Sequence, residues 1–284
     1  MTAATNPTPP ETPATAAPHV LFVTWQDPRS RRYWPVGRLR VFGDGDARRY
    51  EFVYLRGAQQ TGDAGFRGFV GFPDLYRVYR DHLLFPLFAN RLMPRSRPDY
   101  GEFVTRLDLD PDTADDMEVL ARSGGRRNTD SIEVFAQPDR DRDGCYRSFF
   151  LAHGIRYLHP DLQRTLMDSV RIGDRLFLQW DTQNPADHQA MSLRTANHLA
   201  AGFVPRYLTD DAWRLQREQD LCGWPIEITV AHVNPAPAPM QQRLVCRMEA
   251  CWPDGFVPFS GDAYQPVPED VDNPGPDGGV GASA

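Results

Sequence analysis

The chain has 284 residues, 41% of them hydrophobic and 24% charged, which is the composition of a folded protein of one or two domains. Its net charge of −7 excludes a protein that coats nucleic acid by bulk electrostatics, and all 31 basic residues are arginine. No apolar run reaches the roughly 18 to 20 residues of a membrane helix, and no basic and apolar leader follows Met1, so a soluble cytoplasmic protein is expected.

The ends differ from the middle. Residues 1–18 are rich in Pro, Thr and Ala, and residues 259–284 are acidic and rich in Gly and Pro. Neither can bury enough apolar surface to order itself, and both read as disordered tails. Between them, His19 to Trp25 is a short apolar strand, Trp34 to Phe42 a second, and Tyr50 to Leu55 a third that alternates with period two. The Gly43-Asp44-Gly45-Asp46 hairpin signal separates the last two. Leu83, Leu84, Leu87, Phe88 and Leu92 supply an apolar face. Gly101 to Leu109 reads as a helix stopped before Pro111. A second helix spans Thr113 to Ala121, with Asp112 as its cap and Gly124-Gly125 at its end. Ser131 to Phe135 is a closing strand.

The polar run 138–144 is the expected boundary between a domain at 19–137 and one at 145–258. Beyond it, strands are read at Tyr146 to Leu151, Leu176 to Trp180, Ala190 to Arg194, Ala201 to Pro205, Ile226 to Val233 and Arg243 to Cys251. One short helix is capped by Thr209 or Asp210 and runs through Leu215. The expected fold class is α+β: a small α+β N-terminal domain followed by a β-rich OB-like or SH3-like barrel.

The cysteines Cys145, Cys222, Cys246 and Cys251 form no CxxC pair, and reduced thiols are expected. A metal set drawn from Cys222, Cys246, Cys251 and His232 matches no zinc spacing, and no metal or cofactor is assigned. No Walker loop, dinucleotide fingerprint or nucleophile elbow is present, so no catalytic residue is assigned and the protein is read as a non-enzyme. The densest basic loop, Arg122 to Thr129, is either a phosphate cradle of glycine-flanked amides and arginines or a helix C-cap with arginines against the macrodipole.

Four motifs in order cover most of the second half: Gly154-Ile155-Arg156-Tyr157, Gly173 to Leu178, Asn184-Pro185-Ala186-Asp187-His188-Gln189-Ala190, and Ala201 to Leu208 with Gly202-Phe203-Val204-Pro205. Together they resemble the HIRAN domain. That resemblance implies an OB-like barrel, which in eukaryotic fork-remodelling ATPases captures the 3′ end of single-stranded DNA. It implies that Arg156 meets a phosphate and Tyr157 stacks on a base. Asn184 would order a turn, Asp187 would accept a terminal 3′-hydroxyl, and Arg206 would make a further phosphate contact. The chain departs from the end-binding pattern at Ala186, where a second stacking aromatic is expected; Phe203 is either a replacement face or a core residue. Three of these assignments also have a plain alternative. Asn184 to Asp187 is an Asx-type turn by itself, Tyr157 could be a core aromatic with its hydroxyl at the rim, and Arg156 could be an ordinary surface residue.

In the first half, Val36-Gly37-Arg38-Leu39, Tyr50 to Leu55, Pro86 to Pro94 and Asp115 to Ser131 resemble the N-terminal subdomain of HipA-type toxin kinases. The kinase part is missing, so the resemblance implies a protein-contact surface and no phosphoryl transfer. The expected function is DNA binding, to single-stranded, 3′-end or forked DNA, with a protein partner on residues 19–137. The alternative is a regulatory protein-interaction module, related to toxin–antitoxin systems, that does not touch DNA.

Overall fold

The computed structural model describes residues 19–127, 129–141, 143–184, 187–222 and 225–267. The first sheet is built from β1 (Val20–Gln26), β2 (Tyr33–Phe42), β3 (Arg49–Tyr54), β4 (Tyr79–Asp81) and β5 (Ile132–Ala136), in the order β4-β3-β2-β1-β5. All pairings are antiparallel. Short connections join β1 to β2 and β2 to β3, β4 pairs with β3 after the long segment 55–78, and β5 returns to the free side of β1 after the helices. Those helices are α1 (Arg56–Gln59), α2 (Pro86–Ala89), α3 (Tyr100–Thr105) and α4 (Asp116–Ser123).

The cap of α4 is Asp115 and not Asp112. Asp115 accepts the Met117 amide at 2.8 Å, and the Glu118 side chain accepts the Asp115 amide at 3.3 Å, a reciprocal capping box. Asp112, by contrast, gives its amide to Asp110 in the preceding turn. Gly124 ends α4 in the left-handed conformation at φ 72°.

The second sheet holds β6 (Cys145–Leu151), β7 (Arg175–Asp181), β8 (Ala190–Arg194), β9 (Ala200–Phe203), β10 (Glu227–Val233) and β11 (Leu244–Cys251), in the order β6-β11-β10-β7-β8-β9. It is antiparallel throughout. Two helices accompany it, α5 (Pro160–Ser169) and α6 (Arg206–Cys222). The protein is thus mixed α and β with two antiparallel sheets. The expected barrel is not a closed ladder. Among the described residues its edges meet through one pair, in which Phe203 donates to the His153 carbonyl at 2.8 Å and His153 donates back at 2.9 Å.

Helix α6 starts at Arg206, earlier than the expected cap at Thr209. The carbonyl of Pro205 accepts the Leu208 amide at 2.9 Å, and the Thr209 hydroxyl turns back onto the Arg206 carbonyl at 2.9 Å. Phe22 and Phe135 of the first sheet, and Leu55 just past β3, share one buried cluster with Tyr146, Leu176, Leu193, Val230 and Cys246 of the second. Within it Phe135 stacks on Tyr207 at 3.8 Å with the rings 4° from parallel.

Part of the expected acidic tail joins that core. Phe259 is buried, Tyr264 packs edge-on against Phe22 at 5.2 Å, and Val267 donates to the Tyr54 carbonyl at 2.9 Å. Two aromatic rings are enough to fix a strap whose composition otherwise reads as disordered. The cysteines also differ from the expectation of four reduced thiols: Cys251 is disulfide-bonded, while Cys145 and Cys246 are free and buried. Cys246 faces the core, where burial pushes its thiol up to about 12.

Candidate nucleic-acid interface

The Arg156-Tyr157 pair is presented by a single helical turn. Gly154 adopts φ 78° and starts a 3₁₀ turn, Ile155–Tyr157. Ile155 anchors the turn in the core, which leaves the next two side chains pointing to water. Tyr157 is 73% exposed, so it is not a core aromatic. The Arg156 guanidinium lies 4.6 Å from the Tyr157 ring centroid and donates to its hydroxyl. A side chain at residue 154 would sit 2.8 Å from the Phe203 ring, so the glycine is what lets Phe203 close on this turn.

Phe203 is half-buried and lies on the face of β9 away from the core. Its strand partner is Ser192, whereas Met191 and Leu193, on the other parity of β8, enter the buried cluster. It is therefore a rim aromatic beside Gly154.

Three other residues meet at the β7–β8 loop. Asn184 accepts the Asp187 amide at 3.3 Å and donates to Asp181 at 3.3 Å, so the Asx-type turn is present. One oxygen of Asp187 accepts the Gln189 amide at 3.0 Å and the other meets Arg206 Nε at 3.1 Å. Arg206 also contacts Asp210 at 3.3 Å and donates to the Thr209 and Gln189 side chains. Asp187 keeps unused lone pairs that could accept a hydroxyl. Arg206 is neutralised by two carboxylates and must exchange one partner to hold a phosphate. Pro185 and Ala186 lie outside the described residues.

The structure thus brings Arg156, Tyr157 and Phe203 into one group and Asn184, Asp187 and Arg206 into another. The segment Phe203–Arg206 joins them, with its first residue on Gly154 and its last on Asp187.

Sequence reading missed a neighbouring groove of about 430 Å³ lined by Trp180, Gln189, Thr209, Asp210, Trp213 and Arg214. Trp213 is 44% exposed, and the Arg217 guanidinium lies 4.6 Å from its centroid. The available signal was the four-residue spacing of Trp213 and Arg217, hidden by ending the helix at Leu215.

Two arginines of the basic segment at the end of α4 have partners within the protein. Arg122 lies 3.3 Å from the Phe149 ring centroid, and burial lowers its pKa to about 10 although Asp108 opposes this. Arg126 pairs with Glu133 at 2.6 Å and contacts His153 at 2.9 Å, while His153 stands 3.2 Å from Glu133. Burial alone would raise the Glu133 carboxyl; Arg126 and His153 more than offset it and hold it at about 2. The triad ties the first sheet to the second residue past β6. Asn128 lies outside the described residues.

No protein-family model and no curated protein matches the sequence. Two solved structures overlap the chain. One is a Lactobacillus plantarum protein from a structural genomics consortium, 21% identical, covering 38% of this chain and 97% of its own, with TM-score 0.28. The other is the HIRAN domain of human HLTF, 21% identical, covering 37% of this chain and 72% of its own, with TM-score 0.25. Overlap at that level establishes neither fold nor function. Among the described residues no helix is long and apolar enough to cross a membrane, and no group of three or more His, Cys, Asp or Glu residues is placed to hold a metal ion.

Proposed function

We propose that the second half is a HIRAN-type module, an OB-like barrel left open at one seam, that binds an unpaired DNA strand without acting on it chemically. The observation that carries this reading is the Arg156-Tyr157 pair, an aromatic 73% exposed beneath a guanidinium 4.6 Å from its centroid. A base can stack on such a ring whatever its sequence, worth about 1–3 kcal/mol, and the arginine offers two parallel donors to the adjoining phosphate. Phe203 borders the pair as a second apolar surface. Asp187, with spare acceptor capacity beside Arg206, is the group that can distinguish a free 3′-hydroxyl, at a strand end or fork, from an internal nucleotide. Residues 19–137 are assigned a protein partner.

A second reading, a protein-contact module that does not bind nucleic acid, draws on the internal neutralisation of Arg206 and Arg126 by carboxylates.

Fluorescence anisotropy with single-stranded and forked oligonucleotides at low salt tests the choice. Binding that weakens with salt supports the strand-binding reading, and weaker binding to a 3′-phosphate end supports the role of Asp187. Absence of binding to every single-stranded and forked probe leaves the protein-contact reading.

A further inference from the structure

The outer face of β7 and β8 continues away from Phe203. Residues directly opposite in antiparallel strands share a face, and residues two apart along a strand share one too. Phe203 is opposite Ser192, Ser192 is opposite Gln179, and Arg194 is opposite Phe177. Arg175, Phe177 and Gln179 therefore stand on the side of β7 away from Leu176, which is buried in the core. Phe177 is 47% exposed, with the Arg175 guanidinium 5.5 Å from its ring centroid. Arg194 lies directly across and donates to Gln179 at 3.0 Å, a neutral partner. Glu227 touches the edge of this group, 3.8 Å from Arg175. Two strand spacings across and two residues along put Phe177 about 12 Å from Phe203 at ordinary sheet dimensions.

An aromatic facing water between two arginines is the pairing of stacking surface and phosphate donors that unpaired nucleic acid requires. We infer that Phe177, Arg175 and Arg194 form a second platform for the same unpaired strand, reached after the strand leaves Tyr157 and Phe203. The inference rests on the strand-binding reading above and adds a direction and a length to it. The arginines stand on both sides of Phe177, while the carboxylates of this face lie at its ends, Glu227 beside Arg175 and Asp181 two residues past Gln179.

Oligothymidylates of about four and about twelve nucleotides, within the usual site sizes, separate the two platforms. Wild type, Phe177→Ala and Arg194→Gln are titrated with both, and thermal unfolding is followed for each. Phe177→Ala is expected to bind the longer oligonucleotide roughly tenfold more weakly and the shorter one as wild type does. Arg194→Gln is expected to reduce the salt slope for the longer one by about 0.7, as loss of one phosphate contact requires. Both side chains are surface groups, so the melting temperatures should match wild type. Equal affinity of wild type and both variants for the longer oligonucleotide overturns the second platform while leaving the first intact. A loss of the same size for both lengths also overturns it. If wild type binds neither length at low salt, the strand-binding reading falls and this inference falls with it.

Discussion

Replacing Glu133 by glutamine should convert the triad at the sheet junction from a stabilising feature into a liability. The glutamine keeps the shape and an acceptor for Arg126, but leaves that guanidinium without its countercharge. Glu133 titrates at about 2 in the folded protein against an ordinary 4.5, because Arg126 and His153 more than offset its burial. At about 1.4 kcal/mol for each pH unit, this carboxylate contributes about 3 kcal/mol. Glu133 is buried but Arg126 is about a third exposed, so solvent screening makes this an upper bound. Because the folded value is depressed, the contribution is present above pH 4.5 and is lost as pH falls towards 2. Urea unfolding of wild type and Glu133→Gln across that interval should show a gap of at most about 3 kcal/mol at neutral pH that closes on acidification. A gap that stays constant with pH would refute the ion-pair argument and reduce the residue to packing.

Asp211 predicts the opposite slope. Burial pushes its carboxyl up to about 7 against an ordinary 3.8, with the Phe259 amide and Arg214 opposing the shift. A raised folded value means stability is full below 3.8 and declines as pH rises through about 7, by at most about 4 kcal/mol. Asp211→Asn should flatten urea-unfolding midpoints over that window; an unchanged slope would assign it to another group. Gly202→Ala should destabilise by more than about 1 kcal/mol, because the residue sits at φ 105° and a new Cβ would stand 2.5 Å from the His153 carbonyl oxygen. Unfolding at the wild-type urea midpoint would show that the seam between β6 and β9 yields freely.

The strands were the legible part: short runs rich in apolar residues placed every strand of the second sheet to within about two residues. Helix α5 was missed. Pro160 begins it, His159 caps it by accepting the Asp161 amide, and Leu162, Leu166 and Val170 recur at a four-residue spacing, a signal that the reading of this half as β-rich passed over. The strap 259–267 was hidden by its own composition: glycine, proline and acids surround Phe259 and Tyr264, whose partners Phe22 and Phe135 lie more than a hundred residues away. The triad was equally invisible, because a lone glutamate in a strand and a histidine after the next one carry no spacing signal.

At the candidate site, the residue types were legible and their division into two groups was not. Which side of β9 Phe203 takes depends on pairing register, and a shift of one residue reverses it. Arg206 read as a phosphate ligand from its place in the HIRAN-like motif; the carboxylates that hold it come from a loop and from the next turn of α6.

The most direct test of the central claim is a titration of a single-stranded oligonucleotide ending in a 3′-hydroxyl with wild type and with the Arg156→Ala, Tyr157→Ala double variant, at two salt concentrations. The account predicts salt-sensitive binding by wild type and a loss of roughly tenfold or more in the variant, with the melting temperature unchanged because Arg156 and Tyr157 stand outside the core. Equal affinity of the two proteins at both salt concentrations would contradict it.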